Sequence, residues 1–140
     1  MENHVFRNNW KSDTPKIVRG KGIYLYDKDG TEYIDGSSGS ISSSLAHGRA
    51  DMAETLRKQA ETLAYVTRLT SITPLYEEVS STLADNTHMD RFFLTSGGSE
   101  AVEVATKIAL SYQRYRGKPN KTKILSRWLS YHGCTSHTMS

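Results

Sequence analysis

Apolar and polar positions alternate with period two early in the chain and switch to a helical period after residue 48. Ile23 to Asp27 and Thr31 to Asp35 flank a turn carrying Asp29-Gly30, a pattern that predicts a β-hairpin. Ile23 and Leu25 share one face and Tyr24 and Tyr26 the other, so both faces are expected to meet something. A two-stranded ribbon is not stable alone. Residues 1 to 20, with Pro15 and few periodic apolar positions, read as an irregular arm lying on something larger. Gly36 to Ser44 holds six serines, too polar for a strand and too rich in small residues for a helix, and reads as a loop. A flexible linker and a close-packed pocket loop both fit it.

Beyond Gly48, Met52, Leu56, Gln59 or Ala60, and Leu63 recur at helical spacing and predict a helix near 50 to 64. Thr73-Pro74 offers an N-cap and a proline at the first helical position, opening a helix with Leu75, Val79 and Leu83 on one face. Arg91 to Leu94 reads as a short buried strand. Ala101, Ala105, Ile108, Ala109 and Tyr112 form the expected inner stripe of the next helix, which Gly117 and Pro119 end. Thr122 to Leu125 returns as a strand, completing a βαβ unit with a right-handed crossover. The order argues for an α/β chain with a parallel sheet begun and left unfinished, in which Phe92, Phe93, Ile124 and Leu125 lack neighbours on at least one side.

The candidate chemistry lies where these strands end. Arg91 to Glu103 runs from an apolar strand through Gly97-Gly98 into a helix. A helix start has unpaired N–H groups and a partial positive charge, and glycine lets a phosphate approach the backbone. Gly98 and Ser99 would present the amides, the Ser99 hydroxyl would add a donor, and Gly97 would allow the turn. An ordinary turn with Ser99 capping the helix fits the same tripeptide. The spacing matches neither a Walker loop, which needs Gly-Lys-Ser/Thr, nor the dinucleotide Gly-x-Gly-x-x-Gly. Glu100 and Glu103 favour the dipole but repel a phosphate, so their side chains are expected to point away. The second strand leads into Tyr131-His132-Gly133, placing an aromatic at the end of the crossover. A lone tyrosine is more often core or rim. Phosphate cradle and aromatic plate together suggest a flat, phosphorylated cofactor.

Ser96-Gly97-Gly98-Ser99-Glu100-Ala101, Tyr131-His132-Gly133 and the run Gly22 to Gly36 together resemble the N-terminal part of the class III (omega) aminotransferases, which use pyridoxal 5'-phosphate. The likeness covers nearly the whole chain. It implies an incomplete fold-type I PLP-transferase, with an N-terminal arm and β-hairpin segment over 1–48 and the beginning of the large cofactor-binding α/β domain over 49–140. It implies cofactor binding by Gly97, Gly98, Ser99, Tyr131, His132 and Gly133, with Tyr131 stacked on the ring, His132 orienting the site and Ser126-Arg127-Trp128 beneath the cofactor loop. The implied reaction moves an amino group between an amine or amino acid and a keto acid. The lysine that bonds the cofactor and the aspartate that pairs with the pyridine nitrogen are expected beyond residue 140, so no catalytic residue is assigned and the 140-residue chain alone is expected to be inactive. A racemase, aminomutase or decarboxylase could share the cofactor loop, and a non-catalytic fragment folded only through oligomerisation is the reading from a different class. His47-Gly48-Arg49 resembles the family's approach to its first large-domain helix, with Ala46 replacing a frequent glycine. Ile41 stands where several amine-specific members carry an aromatic, which argues against an aromatic amine.

Composition narrows the rest. With 36% hydrophobic and 24% charged residues the chain is globular in type. Net charge is +3, and the cluster Arg114, Arg116, Lys118, Lys121 and Lys123 spans a helix end and loop where cations favour the dipole, so no nucleic-acid partner is expected. No apolar run approaches the roughly 20 residues of a membrane helix, and the start Met1-Glu2-Asn3-His4 lacks a signal-peptide core. One cysteine, Cys134, agrees with a reducing, cytoplasmic setting. His132, Cys134 and His137 lack a standard zinc spacing, and Asp27-Lys28-Asp29-Gly30 lacks the glycine and glutamate of a calcium loop, so no metal is assigned. The family resemblance further implies a homo-oligomer, a dimer, joined in part by the arm.

Overall fold

The computed structural model describes residues 4–5 and 14–139. Contacts group the chain into two compact units, Met1–Thr67 and Arg68–Ser140. In this grouping the helix after residue 48 belongs with the N-terminal sheet.

In the first unit three strands form an antiparallel sheet in the order β1 (Ile17–Lys21), β2 (Tyr24–Asp27), β3 (Glu32–Ile34). The expected hairpin is present as β2 and β3, with Leu25 opposite Tyr33. Its turn is built by Asp27, whose Oδ1 accepts the amides of Asp29 and Thr31, both at 2.9 Å, while Oδ2 accepts the Tyr33 hydroxyl at 2.9 Å. Burial alone would raise the Asp27 pKa; the Tyr33 hydroxyl and the two amides outweigh it and hold the carboxyl below its ordinary value.

Residues 17–21 correct the expectation of an irregular arm, because they pair with β2. The pairing carries an irregularity between Ile17 and Arg19, which hides the alternation in the sequence. The remainder of the expected arm lies largely outside the described residues.

The serine-rich segment is mostly loop, with one irregular helical turn, α1 (Ser38–Ile41), interrupted by non-helical backbone at Gly39 and Ser40. Its ends are pinned to neighbouring residues of the sheet. The Asp35 amide donates to Ile23 at 2.8 Å, and His47 and Gly22 exchange both backbone bonds at 2.9 and 3.0 Å. The Asp35 and His47 side chains then meet, Oδ2 to Nε2, at 2.8 Å, and Asp35 Oδ1 accepts the Gly39 amide at 3.2 Å. A Cβ on Gly20 would lie 2.6 Å from His47 Cβ, so this strand position must be glycine. α2 (Ala50–Thr62) follows where the periodicity places it.

The second unit contains α3 (Pro74–Asn86) and α4 (Gly98–Tyr115). Thr73 caps α3 as expected, its side chain accepting the Tyr76 amide at 3.1 Å. The strands expected at Arg91–Leu94 and Thr122–Leu125 are not formed. A strand exists by pairing, and among the described residues no backbone bond joins these segments to each other or to a third. Side chains take over part of that work at 92–94: the Tyr76 hydroxyl donates to the Phe92 carbonyl at 3.3 Å and accepts the Leu94 amide at 3.1 Å, and Arg68 donates to the Leu94 carbonyl at 2.9 Å.

The missing pairing shows in the burial. A folded chain of this length exposes roughly 7,000 Å², whereas this one exposes 12860 Å², with no buried hydrophobic residue among those described. The stripe expected to face inward on α4 is exposed, and Ser99, Glu103, Val104, Thr106, Leu110 and Gln113 are the half-covered positions. Ser126, Arg127 and Trp128 do not pack beneath a loop; Trp128 is 91% exposed. Among the described residues no helix is long and apolar enough to cross a membrane.

Candidate functional site

The start of α4 and the segment 131–138 meet inside the second unit. Ala101 makes the first backbone bond of the helix, to Gly97 at 3.1 Å. The amides of Gly98, Ser99 and Glu100 precede it and carry no bond among the described residues, which is the donor set an anion needs. A Cβ built on Gly97 or Gly98 meets nothing within 4 Å. The Gly97 backbone is extended, at φ −159° and ψ 162°, a conformation open to any residue. Neither packing nor turn geometry therefore demands these two glycines, which corrects the expectation that Gly97 is there for the turn; what they leave is bare backbone.

Ser99 is not the helix cap. That position falls to Gly97, which has no side-chain cap bond. The Ser99 hydroxyl instead accepts the Cys134 amide at 3.0 Å, with Cys134 Sγ 3.5 Å away. Gly133 seals the contact: it has φ +138°, and a Cβ there would collide with Thr138 Oγ1 and lie 2.8 Å from Ser99 Oγ. Here glycine is required twice over, by backbone conformation and by space.

Glu103 is turned away from the helix start, as expected, but Glu100 corrects that expectation, because its carboxylate folds back onto the backbone just before the helix. Glu100 reaches back to accept the Ser96 amide at 3.0 Å. Glu103 Oε1 accepts the Thr135 hydroxyl at 2.6 Å and the His137 amide at 3.3 Å, and its Oε2 lies 3.4 Å from His137 Nδ1. The Thr135 hydroxyl, ahead of the opposing effect of burial and helped by His137, holds the Glu103 carboxyl below its ordinary value.

Tyr131 is 84% exposed and presents an open ring. His132 is half-covered, and its Nε2 is buried with no hydrogen-bond partner, an unsatisfied group of the kind that a native structure retains for a reason. Sequence reasoning missed Thr135 and Thr138. Thr138 is 3% exposed and its Oγ1 accepts the Thr135 amide at 3.0 Å and donates to the Thr135 carbonyl at 3.2 Å. The Thr-x-x-Thr spacing after Cys134 was the available signal for such a side-chain-closed turn.

Comparison with known proteins places the chain in a family. The model of the family "Aminotransferase class-III" matches residues 7–140. A probable aminotransferase of Mycobacterium tuberculosis is 39% identical over 98% of this chain and 30% of its own length. The crystal structure of an (S)-enantioselective omega-transaminase from Thermomicrobium roseum superposes with a TM-score of 0.86 at 35% identity, covering 94% of this chain and 31% of that one. A PLP-bound aminotransferase mutant from Vibrio fluvialis superposes with a TM-score of 0.81 at 28% identity, over 88% of this chain and 28% of its own. The chain thus spans about a third of the length of the relatives it matches, and its fold is that part of a fold-type I transaminase. With the family model matching residues 7–140, nearly the whole chain, the chain belongs to the class III aminotransferase family.

Proposed function

We propose that this chain is the N-terminal part of a pyridoxal-phosphate-dependent aminotransferase that moves an amino group between an amine or amino acid and a keto acid. The observation that carries the reading is the contact between Ser99 Oγ and the Cys134 amide at 3.0 Å, which brings unpaired helix amides and the Tyr131 segment to one place. The residues fit the cofactor. The bare backbone at Gly98, the free first-turn amides and the Ser99 hydroxyl would hold its phosphate, Tyr131 would cover its ring, and the unpartnered His132 Nε2 would gain a partner at the site's edge. Gly97 and Gly133 would serve by keeping the approach open and the loop close. When bound, pyridoxal phosphate supplies the carbonyl and the electron sink that amino-group transfer needs.

Family membership and the PLP-bound Vibrio fluvialis relative support this cofactor. The complete enzyme is proposed to be a cytoplasmic homodimer that takes small molecules, with a division near residue 48 between an N-terminal segment and the large domain. The test is spectroscopic. The complete protein loaded with pyridoxal phosphate should change its cofactor absorbance on addition of an amine and recover it with a keto acid; no change with any amine overturns the reading.

A further inference from the structure

We propose that Glu103 is the positioning residue for the phosphate end of this site, acting through Thr135 on the segment that carries Tyr131, His132 and Gly133. The inference rests on the cofactor reading above. Glu103 lies in the second turn of α4, close enough to the helix start that an uncommitted carboxylate would repel an incoming phosphate. It is committed: the Thr135 hydroxyl and the His137 amide hold its Oε1, and the His137 ring lies 3.4 Å from its Oε2.

The contact runs on from there without a break. The Thr135 amide donates to Thr138 Oγ1 at 3.0 Å, and the single Thr138 hydroxyl hydrogen is shared between the Thr135 carbonyl and the Thr135 hydroxyl oxygen 2.8 Å away. Thr138 fills the space that a Gly133 side chain would need, and Gly133 in turn packs on Ser99. At the end of the series the Cys134 amide occupies an acceptor position of Ser99 Oγ. The Ser99 hydrogen is then left to donate, with Cys134 Sγ as its only weak protein alternative among the described residues. Glu103 thus sets which way the Ser99 hydroxyl can serve an anion while touching neither the anion nor Ser99.

A merely structural Glu103 would lower stability without distinguishing one ligand from another. The test therefore compares pyridoxal phosphate with pyridoxal, which lacks the phosphate, by fluorescence titration of the complete protein. Hydrogen exchange at the Cys134 and His137 amides is followed alongside. Glu103→Ala and Thr135→Val are expected to lose about tenfold of the preference for the phosphorylated ligand, the loss of one charge-assisted hydrogen bond, and to exchange faster at Cys134. Glu103→Gln, which keeps one acceptor oxygen, should retain part of the preference. An unchanged preference in Thr135→Val with full protection at Cys134 overturns the inference alone. A wild-type protein that does not prefer the phosphorylated ligand overturns the cofactor reading and this inference with it.

Discussion

The Tyr76 hydroxyl accepts the Leu94 amide at 3.1 Å and, by donating to Phe92 as well, occupies an edge where a neighbouring strand would otherwise bond. Removing it leaves an amide and a carbonyl without partners. Tyr76→Phe should therefore cost about 1 to 3 kcal/mol of stability, measured as a lower denaturation midpoint with unchanged denaturant slope.

Gly98 and Gly133 should respond to alanine in opposite ways. At Gly98 the added methyl meets nothing, so Gly98→Ala should leave the melting temperature unchanged or raise it. The same methyl sits where the phosphate needs the backbone and should weaken pyridoxal phosphate binding. Gly133→Ala collides with Thr138 and Ser99 at a left-handed backbone and should destabilise by more than about 1 kcal/mol. Calorimetry of the two variants separates a ligand role from a packing role; equal destabilisation would refute the distinction.

Ala46 has φ +68°, where an L side chain costs about 1 to 2 kcal/mol. Glycine recovers that cost but gives up part of it to the freer unfolded chain. Ala46→Gly should thus stabilise by about 0.5 to 1 kcal/mol, read as a higher thermal midpoint.

Acid should loosen both units. Asp35 is held below its ordinary value of 3.8 by the His47 side chain and then by the Gly39 amide. Asp27 is lowered despite its burial, and Glu103 is held below 4.5 by Thr135. A carboxyl with a depressed folded pKa stabilises above its unfolded value, and the contribution disappears as pH falls through the folded one. Stability should accordingly be level near neutrality, begin to fall at about pH 4.5 and continue falling below about pH 3.8. Asp35→Asn should remove part of that slope and increase hydrogen exchange at Gly39 and His47 while the turn at Asp27 stays protected. A slope unchanged in Asp35→Asn would show that the pair does not hold the loop.

What could be read in the sequence was what the chain decides locally. Asp29-Gly30 fixes its turn through Asp27 three bonds deep, and Thr73-Pro74 opens α3 with a cap that needs no distant residue. The meeting of Ser99 with the Tyr131 segment was also legible, through the paired glycine motifs. Pairing was not legible. Arg91–Leu94 and Thr122–Leu125 have strand composition but no ladder, and β1 pairs through a break in register and a glycine shaped by His47. The burial of α4 was misjudged for a related reason: periodicity gives two plausible faces, and only neighbours choose between them.

The unpaired stretch at Ile124 and Leu125, the latter 95% exposed, has a consequence for biosynthesis. Ribosomes deliver the N-terminus first, at roughly 5 to 20 residues per second, and the relatives are about three times this length. A nascent chain of that size would keep this exposed apolar stretch in solvent for tens of seconds while synthesis continues. Its yield in a cell should depend on chaperones that shield such a segment, more than on the stability of the finished fold.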